Sequence, residues 1–153
     1  MRKVLIAEDE KVLLKVLKER FEDEGWKVST ADDGEETLKK LDKAGRDGFD
    51  LLVLDLLMPK KDGFAVLEEI KDNAELVDLP IIVLSNLGSD DDIKRAMKMG
   101  ADDYYVKSQH PMSEIVEKAD KFAAGGHTLN KRVVKGKKEK ETKEESVADE
   151  TKK

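Results

Sequence analysis

Five polar side chains follow short apolar runs, and their types suit metal or phosphate chemistry. Asp55 ends one such run, Glu8 and Asp9 end another, and Ser85 and Lys107 end two more. An ionised carboxylate at the end of a buried strand is unfavourable unless a metal, a cation or hydrogen bonds compensate it. The chain offers candidates for all three, because two further acids could share a cation with Asp55, while the lysine and the serine could supply charge and a hydroxyl. We therefore expect these residues to form one site.

The elements that would position them alternate along the chain. Short apolar runs that predict strands alternate five times with amphipathic stretches that predict helices; the strand candidates are Lys3–Ala7, 27–30, 49–54, 80–84 and Asp103–Val106. Three of these runs are continuously apolar, as is typical of strands covered on both faces. A (βα)5 alternation predicts an α/β fold, a doubly wound parallel sheet of the flavodoxin-like type with strand order 2-1-3-4-5.

The predicted strand order locates the acidic residues. In an open doubly wound sheet, ligands bind beyond the carboxyl ends of the strands where the strand order reverses, here between the first and third strands. Glu8 and Asp9 follow the first strand and Asp55 follows the third. Three converging carboxylates repel one another, and a divalent cation removes that repulsion. Mg²⁺ suits a site with few carboxylates and retained waters.

Composition excludes several classes of protein. The 153 residues are 39% hydrophobic and 42% charged, which predicts a globular protein with one main domain. The absence of cysteine excludes disulfides, thiolate metal ligands and a cysteine nucleophile. We find no apolar run long enough to span a membrane and no secretory apolar region at the start, so we expect a cytoplasmic protein.

Charge and periodicity divide the chain into two parts. Residues 126–153 contain nine Lys or Arg and six Asp or Glu, a net charge of +3. Because the whole chain has a net charge of −6, residues 1–125 have a net charge of −9. Helical periodicity ends before residue 126, so we expect a folded domain over 1–125 and a disordered charged tail over 126–153, with a basic contact arm as the alternative reading of the tail. An acidic domain disfavours direct nucleic-acid binding.

Four motifs, in order and at the right spacing, resemble the receiver domain of two-component response regulators. They are AEDE at 7–10, LDLLMP at 54–59 with Asp62-Gly63, Leu84-Ser85, and GADDY at 100–104 with Lys107. The resemblance covers about residues 1–124. Each motif alone is weak, but the four together are specific.

The resemblance implies a phosphoacceptor and a metal site. Asp55 is then the nucleophile that accepts a phosphoryl group as an acyl phosphate. Asp9 and Asp55 bind Mg²⁺ directly together with the backbone carbonyl of Leu57, and Glu8 acts on the metal through a water. Phosphoryl transfer needs mainly such positioning and neutralisation of charge.

The resemblance also implies a readout. Lys107 pairs with the phosphoryl group, and Ser85 donates its hydroxyl to a phosphoryl oxygen. Movement of Ser85 opens space into which Tyr104 turns, with the neighbouring Tyr105 as the residue that could be mistaken for it. Phosphorylation then shifts a pre-existing equilibrium between two conformations.

We therefore expect a single-domain response regulator of the stand-alone, chemotaxis-regulator-like type. A sensor histidine kinase or histidine phosphotransfer protein would donate the phosphoryl group, and a target protein would bind the face of the fourth helix, fifth strand and fifth helix. The expected state is a monomer or a weak, phosphorylation-dependent dimer. We expect a switch rather than an enzyme, with self-phosphorylation and self-dephosphorylation as its only chemistry.

Several alternatives stay open. The protein could relay phosphate onward, or serve as a scaffold that is never phosphorylated. An aspartyl phosphatase of similar architecture needs a second acid two residues after the nucleophile, where Leu57 stands. A nucleotide- or flavin-binding domain would need a glycine-rich loop after the first strand, and this chain has acids there.

Two departures from the family pattern lead to expectations. Leu57 and Leu87 are apolar where many relatives carry polar groups beside the path of attacking water, so we expect slow hydrolysis of the acyl phosphate. Lys107-Ser108 stands where the family usually has Lys-Pro with a cis bond. A cis bond without proline costs about 3 kcal/mol, so either that bond persists under strain or the loop takes another route.

Overall fold

Five strands and five helices alternate in the computed structural model, which describes residues 2–123. The strands are β1 Lys3–Ala7, β2 Lys27–Ala31, β3 Leu51–Leu54, β4 Ile81–Ser85 and β5 Asp103–Val106, and the helices are α1 Lys11–Asp23, α2 Gly34–Ala44, α3 Gly63–Lys71, α4 Asp90–Lys98 and α5 Met112–Ala123. All strand pairs are parallel, in the order β2-β1-β3-β4-β5. The predicted fold is confirmed; the tail predicted over 126–153 lies outside the described residues.

Alternate residues of the strands build two separate cores, because successive side chains of a strand point to opposite faces of the sheet. Leu5, Leu52 and Val83 face α2, α3 and α4, whereas Ile6 and Val53 face α1 and α5. β1, β3 and β4 are buried on both faces. The sheet is therefore a rigid support, and the carboxyl ends of its strands are fixed by packing on both sides.

Side-chain caps fix where three helices begin. The carboxylate of Asp62 accepts a hydrogen bond of 2.9 Å from the amide of Ala65, which starts α3 shortly after the loop that follows β3. Asp33 and Ser89 cap α2 and α4 in the same way. Such caps satisfy amides that have no partner inside the helix. Within residues 2–123, no helix is long and apolar enough to cross a bilayer.

The boundaries of three strands differ from those predicted. β3 begins at Leu51 rather than at residue 49, and Asp50 instead uses its carboxylate to accept a hydrogen bond from the amide of Lys3. β2 extends by one residue to Ala31, and β4 runs from Ile81 through Ser85 rather than over 80–84. Ser85 is therefore a strand residue, held in register by pairing with β5.

Candidate functional site

Asp55 is the first residue after β3, and its side chain is enclosed. Only 3% of the residue is exposed. Its amide donates to the carbonyl of Ala7 at 3.0 Å, which continues the contact between β1 and β3 beyond the strand. Its Oδ1 accepts a hydrogen bond from the amide of Leu57 at 3.1 Å, and its Oδ2 lies 3.0 Å from Lys107 Nζ. The backbone thus fixes the orientation of this carboxylate.

Two acids from the loop after β1 converge on Asp55. Carboxylate oxygens of Glu8, Asp9 and Asp55 all lie within 4.8 Å of one another. Glu8 is 1% exposed, while Asp9 is exposed to solvent. The amide of Glu8 donates to the carbonyl of Ala31 at 2.9 Å, which anchors the start of this loop to β2. The predicted convergence of the three acids is therefore present.

Lys107 contacts two of these acids, Glu8 and Asp55, and also Glu10. Its Nζ is 2.9 Å from Glu8 Oε1, 3.0 Å from Asp55 Oδ2 and 3.4 Å from Glu10 Oε1. Its backbone amide donates to the carbonyl of Ser85 at 2.9 Å, which fixes the start of the loop after β5. The side chain is only 10% exposed, so these interactions are poorly screened by solvent.

The loop after β5 contains no cis peptide bond between Lys107 and Ser108, the second of the two possibilities considered from the sequence. The described residues contain no cis peptide bond, so Lys107 and Ser108 are joined in the trans form. The amide of Gln109 donates to the carbonyl of Val106 at 2.9 Å and closes a turn around them. Lys107 nevertheless reaches Asp55, so a cis bond is not needed to position its ammonium group.

Burial and charge shift the proton affinities of the site. Desolvation raises the pKa of Glu8 to about 7, and the charge of Asp55 adds to this, while hydrogen bonds from the Glu10 amide and from Lys107 act in the opposite direction. Burial alone would lower the pKa of Lys107, but hydrogen bonds to Glu8 and Asp55 and their charges outweigh it and raise that pKa. Lys107 is therefore a permanent cation here.

The donor set fits a hard divalent cation. Three carboxylates against one lysine leave a formal charge of −2 when Glu8, Asp9 and Asp55 are ionised. The raised pKa of Glu8 indicates that Lys107 alone does not offset the cost of burying Glu8 beside Asp55. Oxygen ligands and one solvent-exposed side suit Mg²⁺, which retains several waters. The role of the Leu57 carbonyl as a ligand stays a prediction.

Ser85 and Tyr104 lie on the strands beside the acids. Ser85 is fully buried, and its Oγ accepts a hydrogen bond from the amide of Leu87 at 3.3 Å. The hydroxyl of Tyr104 donates to the carbonyl of Leu87. Desolvation is the main reason why the pKa of Tyr104 rises to about 12, so this phenol stays protonated as a donor. Leu87 thus connects the two predicted switch residues.

The two neighbouring tyrosines face opposite sides of the sheet. Tyr104 packs against the core beneath α2, α3 and α4, whereas Tyr105 is buried in the other core and stacks edge-on against His110 at 4.9 Å. This is the alternation expected of a strand. Tyr104, rather than Tyr105, is therefore the tyrosine that contacts the loop after Ser85.

Glu10 is the site residue that sequence reasoning missed. It stands in the AEDE motif, but no local pattern assigns its exposed side chain to Lys107. Only the geometry of the loop after β5 brings the two together. Within residues 2–123, a second acidic cluster is formed by Asp32, Asp33 and Glu36. The carboxylate of Asp33 accepts from the amide of Glu36, and that of Glu36 accepts from the amide of Asp32, so the cluster is explained as a helix cap.

A scan against family models matches residues 4–120 to the response regulator receiver domain. Among curated proteins, the transcriptional regulatory protein CpxR of Escherichia coli K12 is 40% identical over 107 residues, which covers 70% of this chain and 43% of CpxR. The probable transcriptional regulator ycf27 of Guillardia theta is 35% identical over 138 residues, covering 86% of this chain and 52% of ycf27. The chain spans about half the length of these relatives.

Solved structures agree with the family match. The receiver domain of the Francisella response regulator 1452 superimposes with a TM-score of 0.73 at 29% identity, covering 81% of this chain and 98% of that one. The phosphorylated cyanobacterial phytochrome response regulator RcpA gives a TM-score of 0.68 at 31% identity, covering 78% and 89%. The Mn²⁺-bound response regulator Rcp1 gives a TM-score of 0.68 at 25% identity, covering 82% and 94%.

Proposed function

This chain belongs to the response regulator receiver domain family, and on that premise we propose that it is a signalling switch in which Asp55 accepts a phosphoryl group. One observation carries the proposal. Asp55 is buried at the topological switch point of the sheet, in contact with one cation and close to two further acids. A merely structural carboxylate would not need this arrangement, whereas a phosphoacceptor does.

The chemistry takes place on Asp55 itself. A carboxylate oxygen forms a bond to the phosphorus of a phosphohistidine donor while the donor's P–N bond breaks, and the released imidazole takes up a proton. The hydrogen bond from the Leu57 amide to Oδ1 holds the carboxylate in one orientation during this step. The protein turns over no separate substrate, so its only reactions are its own phosphorylation and the later hydrolysis of its acyl phosphate.

Lys107, Glu8 and Asp9 supply the electrostatic environment. Lys107 exchanges one of its carboxylate partners for the phosphoryl group, which places positive charge where negative charge accumulates. Asp9 and Asp55 would hold Mg²⁺ directly, and Glu8 would act on it through a water. When bound, the metal neutralises charge on the transferred group. The Mn²⁺ bound by the relative Rcp1 is consistent with a divalent cation at such a site.

Readout passes through the loop between β4 and α4. Ser85 releases its hydrogen bond with the Leu87 amide and donates its hydroxyl to a phosphoryl oxygen. Because the Tyr104 hydroxyl is bonded to the carbonyl of Leu87, movement of this loop is transmitted to β5. The surface formed by α4, β5 and α5 then changes its affinity for a partner.

The partners follow from this role. The phosphodonor is a sensor histidine kinase or a histidine phosphotransfer protein, and the output is a protein bound at the α4–β5–α5 surface. CpxR and ycf27 are named as transcriptional regulators and are about twice as long as the matched region. We propose a protein contact, rather than direct nucleic-acid binding, as the output of this chain; the transcriptional role is that of the longer relatives.

Intact-mass spectrometry tests the proposal. The full chain is incubated with Mg²⁺ and phosphoramidate, a small donor with a P–N bond. We expect the mass to increase by one phosphoryl group, and Asp55→Asn to remove the increase because the nucleophile is gone. Asp9→Asn should slow it strongly through loss of metal.

Glu22→Gln is the matched control, since Glu22 is an exposed acid on α1 away from the site. This variant should behave as the unchanged protein does. Phosphorylation that persists in Asp55→Asn, or that does not depend on Mg²⁺, contradicts the proposal.

A further inference from the structure

A groove between α1 and α5 lies apart from the Asp55 site. It encloses about 690 Å³, and the side chains of Val16 and Val116 contribute apolar surface to it. It extends from Ser113, in the first turn of α5, to Asp120 in the last turn. A groove that has some apolar surface and extends along most of a helix can accommodate an extended segment of chain.

The rim of this groove is strongly acidic. Five of its lining residues are acids, and one is a base: Glu19, Asp23, Glu24, Glu117 and Asp120 against Arg20. Asp120 is already bonded to Arg2 and to the indole nitrogen of Trp26, each at 3.0 Å. Within residues 2–123, the side chains of Glu19, Asp23 and Glu117 form no ion pair. The groove therefore favours a cationic occupant.

The chain itself contains a segment with the complementary pattern. Residues 129–138, which read LNKRVVKGKK and are called the basic segment here, contain five Lys or Arg and no Asp or Glu. They also include one leucine and two consecutive valines. The basic segment thus combines positive charge that complements the rim with apolar side chains that complement Val16 and Val116.

Chain length allows the basic segment to reach the groove. α5 has 12 residues, so it is about 18 Å long at 1.5 Å per residue. From Ala123 to Leu129, six residue steps can span up to about 20 Å. Gly125 and Gly126 lie within this connection, and glycine allows the chain to reverse direction. The basic segment can therefore return along α5 beside the groove.

We propose that the basic segment, residues 129–138, binds intramolecularly in the acidic groove between α1 and α5. The short connection gives the segment an effective concentration of about millimolar at the groove, so weak contacts are sufficient. In this proposal the positive charges of Lys131, Arg132 and Lys135 complement the acids of the rim, and Val133 supplies apolar surface. This inference does not depend on the chemistry proposed for Asp55.

Paramagnetic relaxation measured by NMR tests this proposal on the full chain. The protein has no cysteine, so Gly136→Cys provides a single position for a nitroxide label. We expect broadening of amides in the second half of α1 and along α5, but not in α3 on the opposite face of the sheet. Salt should remove the broadening, because the screening length falls to about 3 Å at 1 M.

Charge reversal provides the decisive comparison. In the labelled protein, the triple variant Lys131→Glu/Arg132→Glu/Lys135→Glu should no longer show broadening of the amide signals of α1 and α5. The matched control, Lys143→Glu/Lys152→Glu/Lys153→Glu, reverses as many charges outside the basic segment and should retain it. The proposal is overturned if broadening is absent, if it is limited to amides next to Ala123, or if it is retained in the variant with reversed charges at 131, 132 and 135.

A mixed sample distinguishes a second copy from the tethered segment. Isotope-labelled protein without nitroxide is combined with nitroxide-labelled protein that carries no isotope. No broadening is expected, because the segment binds its own groove. Broadening of equal size in the mixed sample would identify another copy of the chain as the occupant and overturn the proposal.

Discussion

At the scale of single residues, the site is a balance between buried carboxylates and one lysine. Asp55 and Glu8 are almost fully enclosed, and the ammonium of Lys107 lies within 3.0 Å of both. Taking charges out of water is unfavourable, and this arrangement is tolerable only because opposite charges are in contact. The same contacts hold Lys107 where a phosphoryl group on Asp55 would meet it.

Replacing Lys107 should therefore destabilise the folded protein when no metal is bound. We expect Lys107→Met to lower the free energy of unfolding by about 3 kcal/mol, because Glu8 and Asp55 are left buried without a counter-charge. Mg²⁺ should restore part of this loss. Urea denaturation with and without Mg²⁺ measures both effects.

Lys118→Met is the matched control, since Lys118 forms a half-exposed pair with Asp103 at 3.4 Å. It should lose no more than about 1 kcal/mol. Equal losses of unfolding free energy in the two variants would show that the contacts of Lys107 stabilise the protein no more than an ion pair at the surface does.

Leu57 is expected to control how slowly the acyl phosphate on Asp55 is hydrolysed. Its side chain is 49% exposed and its amide is bonded to Asp55, so it flanks the carboxylate without offering a group that orients water. We expect Leu57→Asn to speed decay of the acyl phosphate about tenfold, which corresponds to about 1.4 kcal/mol in the barrier. Loss of the phosphorylated mass with time measures the rate. An unchanged rate would contradict the predicted role of Leu57.

At the scale of elements, the connection between β3 and α3 is the most constrained part of the site. A Cβ added at Gly63 would lie 2.5 Å from the carbonyl oxygen of Asp55 and 2.6 Å from the Cα of Leu56. The amide of Gly63 donates to the carbonyl of Leu56 at 3.0 Å. The start of α3 therefore packs directly against the backbone that carries the nucleophile, and only glycine permits this approach.

Substitution of Gly63 should disturb Asp55 from outside the site. We expect Gly63→Ala to lower the free energy of unfolding by about 2 kcal/mol through steric overlap, and to slow phosphorylation because the Asp55 backbone must move. Gly88→Ala is the control, since its added Cβ would be 3.4 Å from a side-chain atom of Val106. Thermal unfolding and the mass assay should separate the two variants; identical behaviour would refute the steric explanation.

The same loop contains a strained residue. Lys60 has a φ of +66°, a left-handed conformation that costs about 1–2 kcal/mol for a residue with a Cβ. Its ammonium lies 3.6 Å from the buried Asp33, but the lysine side chain itself is 63% exposed, so this contact offsets little of the strain. We expect Lys60→Gly to raise the free energy of unfolding by about 0.5 kcal/mol.

Lys61→Gly is the matched control, because Lys61 has no positive φ and forms an ion pair with Glu69. It should destabilise the protein. Denaturant unfolding of both variants tests the difference, and a loss of stability in Lys60→Gly would count against strain at that position.

At the scale of the whole molecule, sequence patterns were sufficient for the fold because each pattern has a direct physical cause. The continuously apolar strands require cover on both faces, and the alternation of strands and helices then imposes a parallel sheet. The order of strands brings Glu8, Asp9 and Asp55 to one edge, so the acidic cluster could be predicted from their positions alone.

Other features depend on tertiary contacts that no local pattern encodes. The ion pair between Glu10 and Lys107 joins residues 97 positions apart through a loop whose route could not be predicted. The end of β4 at Ser85 depends on pairing with β5. The acidic groove arises only where α1 and α5 pack side by side. The roles of the site residues stay predictions until they are measured.

Titration of the full chain with beryllofluoride and Mg²⁺, followed by NMR, tests the central claim most directly, because beryllofluoride mimics a phosphoryl group on a carboxylate. We predict shifts in the amides around Asp55 that extend to Ser85, Leu87 and Tyr104, and that require Mg²⁺. In Asp55→Asn these shifts should disappear while the rest of the spectrum is preserved. A chain that does not respond, or a response that persists in Asp55→Asn, would contradict the claim that Asp55 is the phosphoacceptor of a switch.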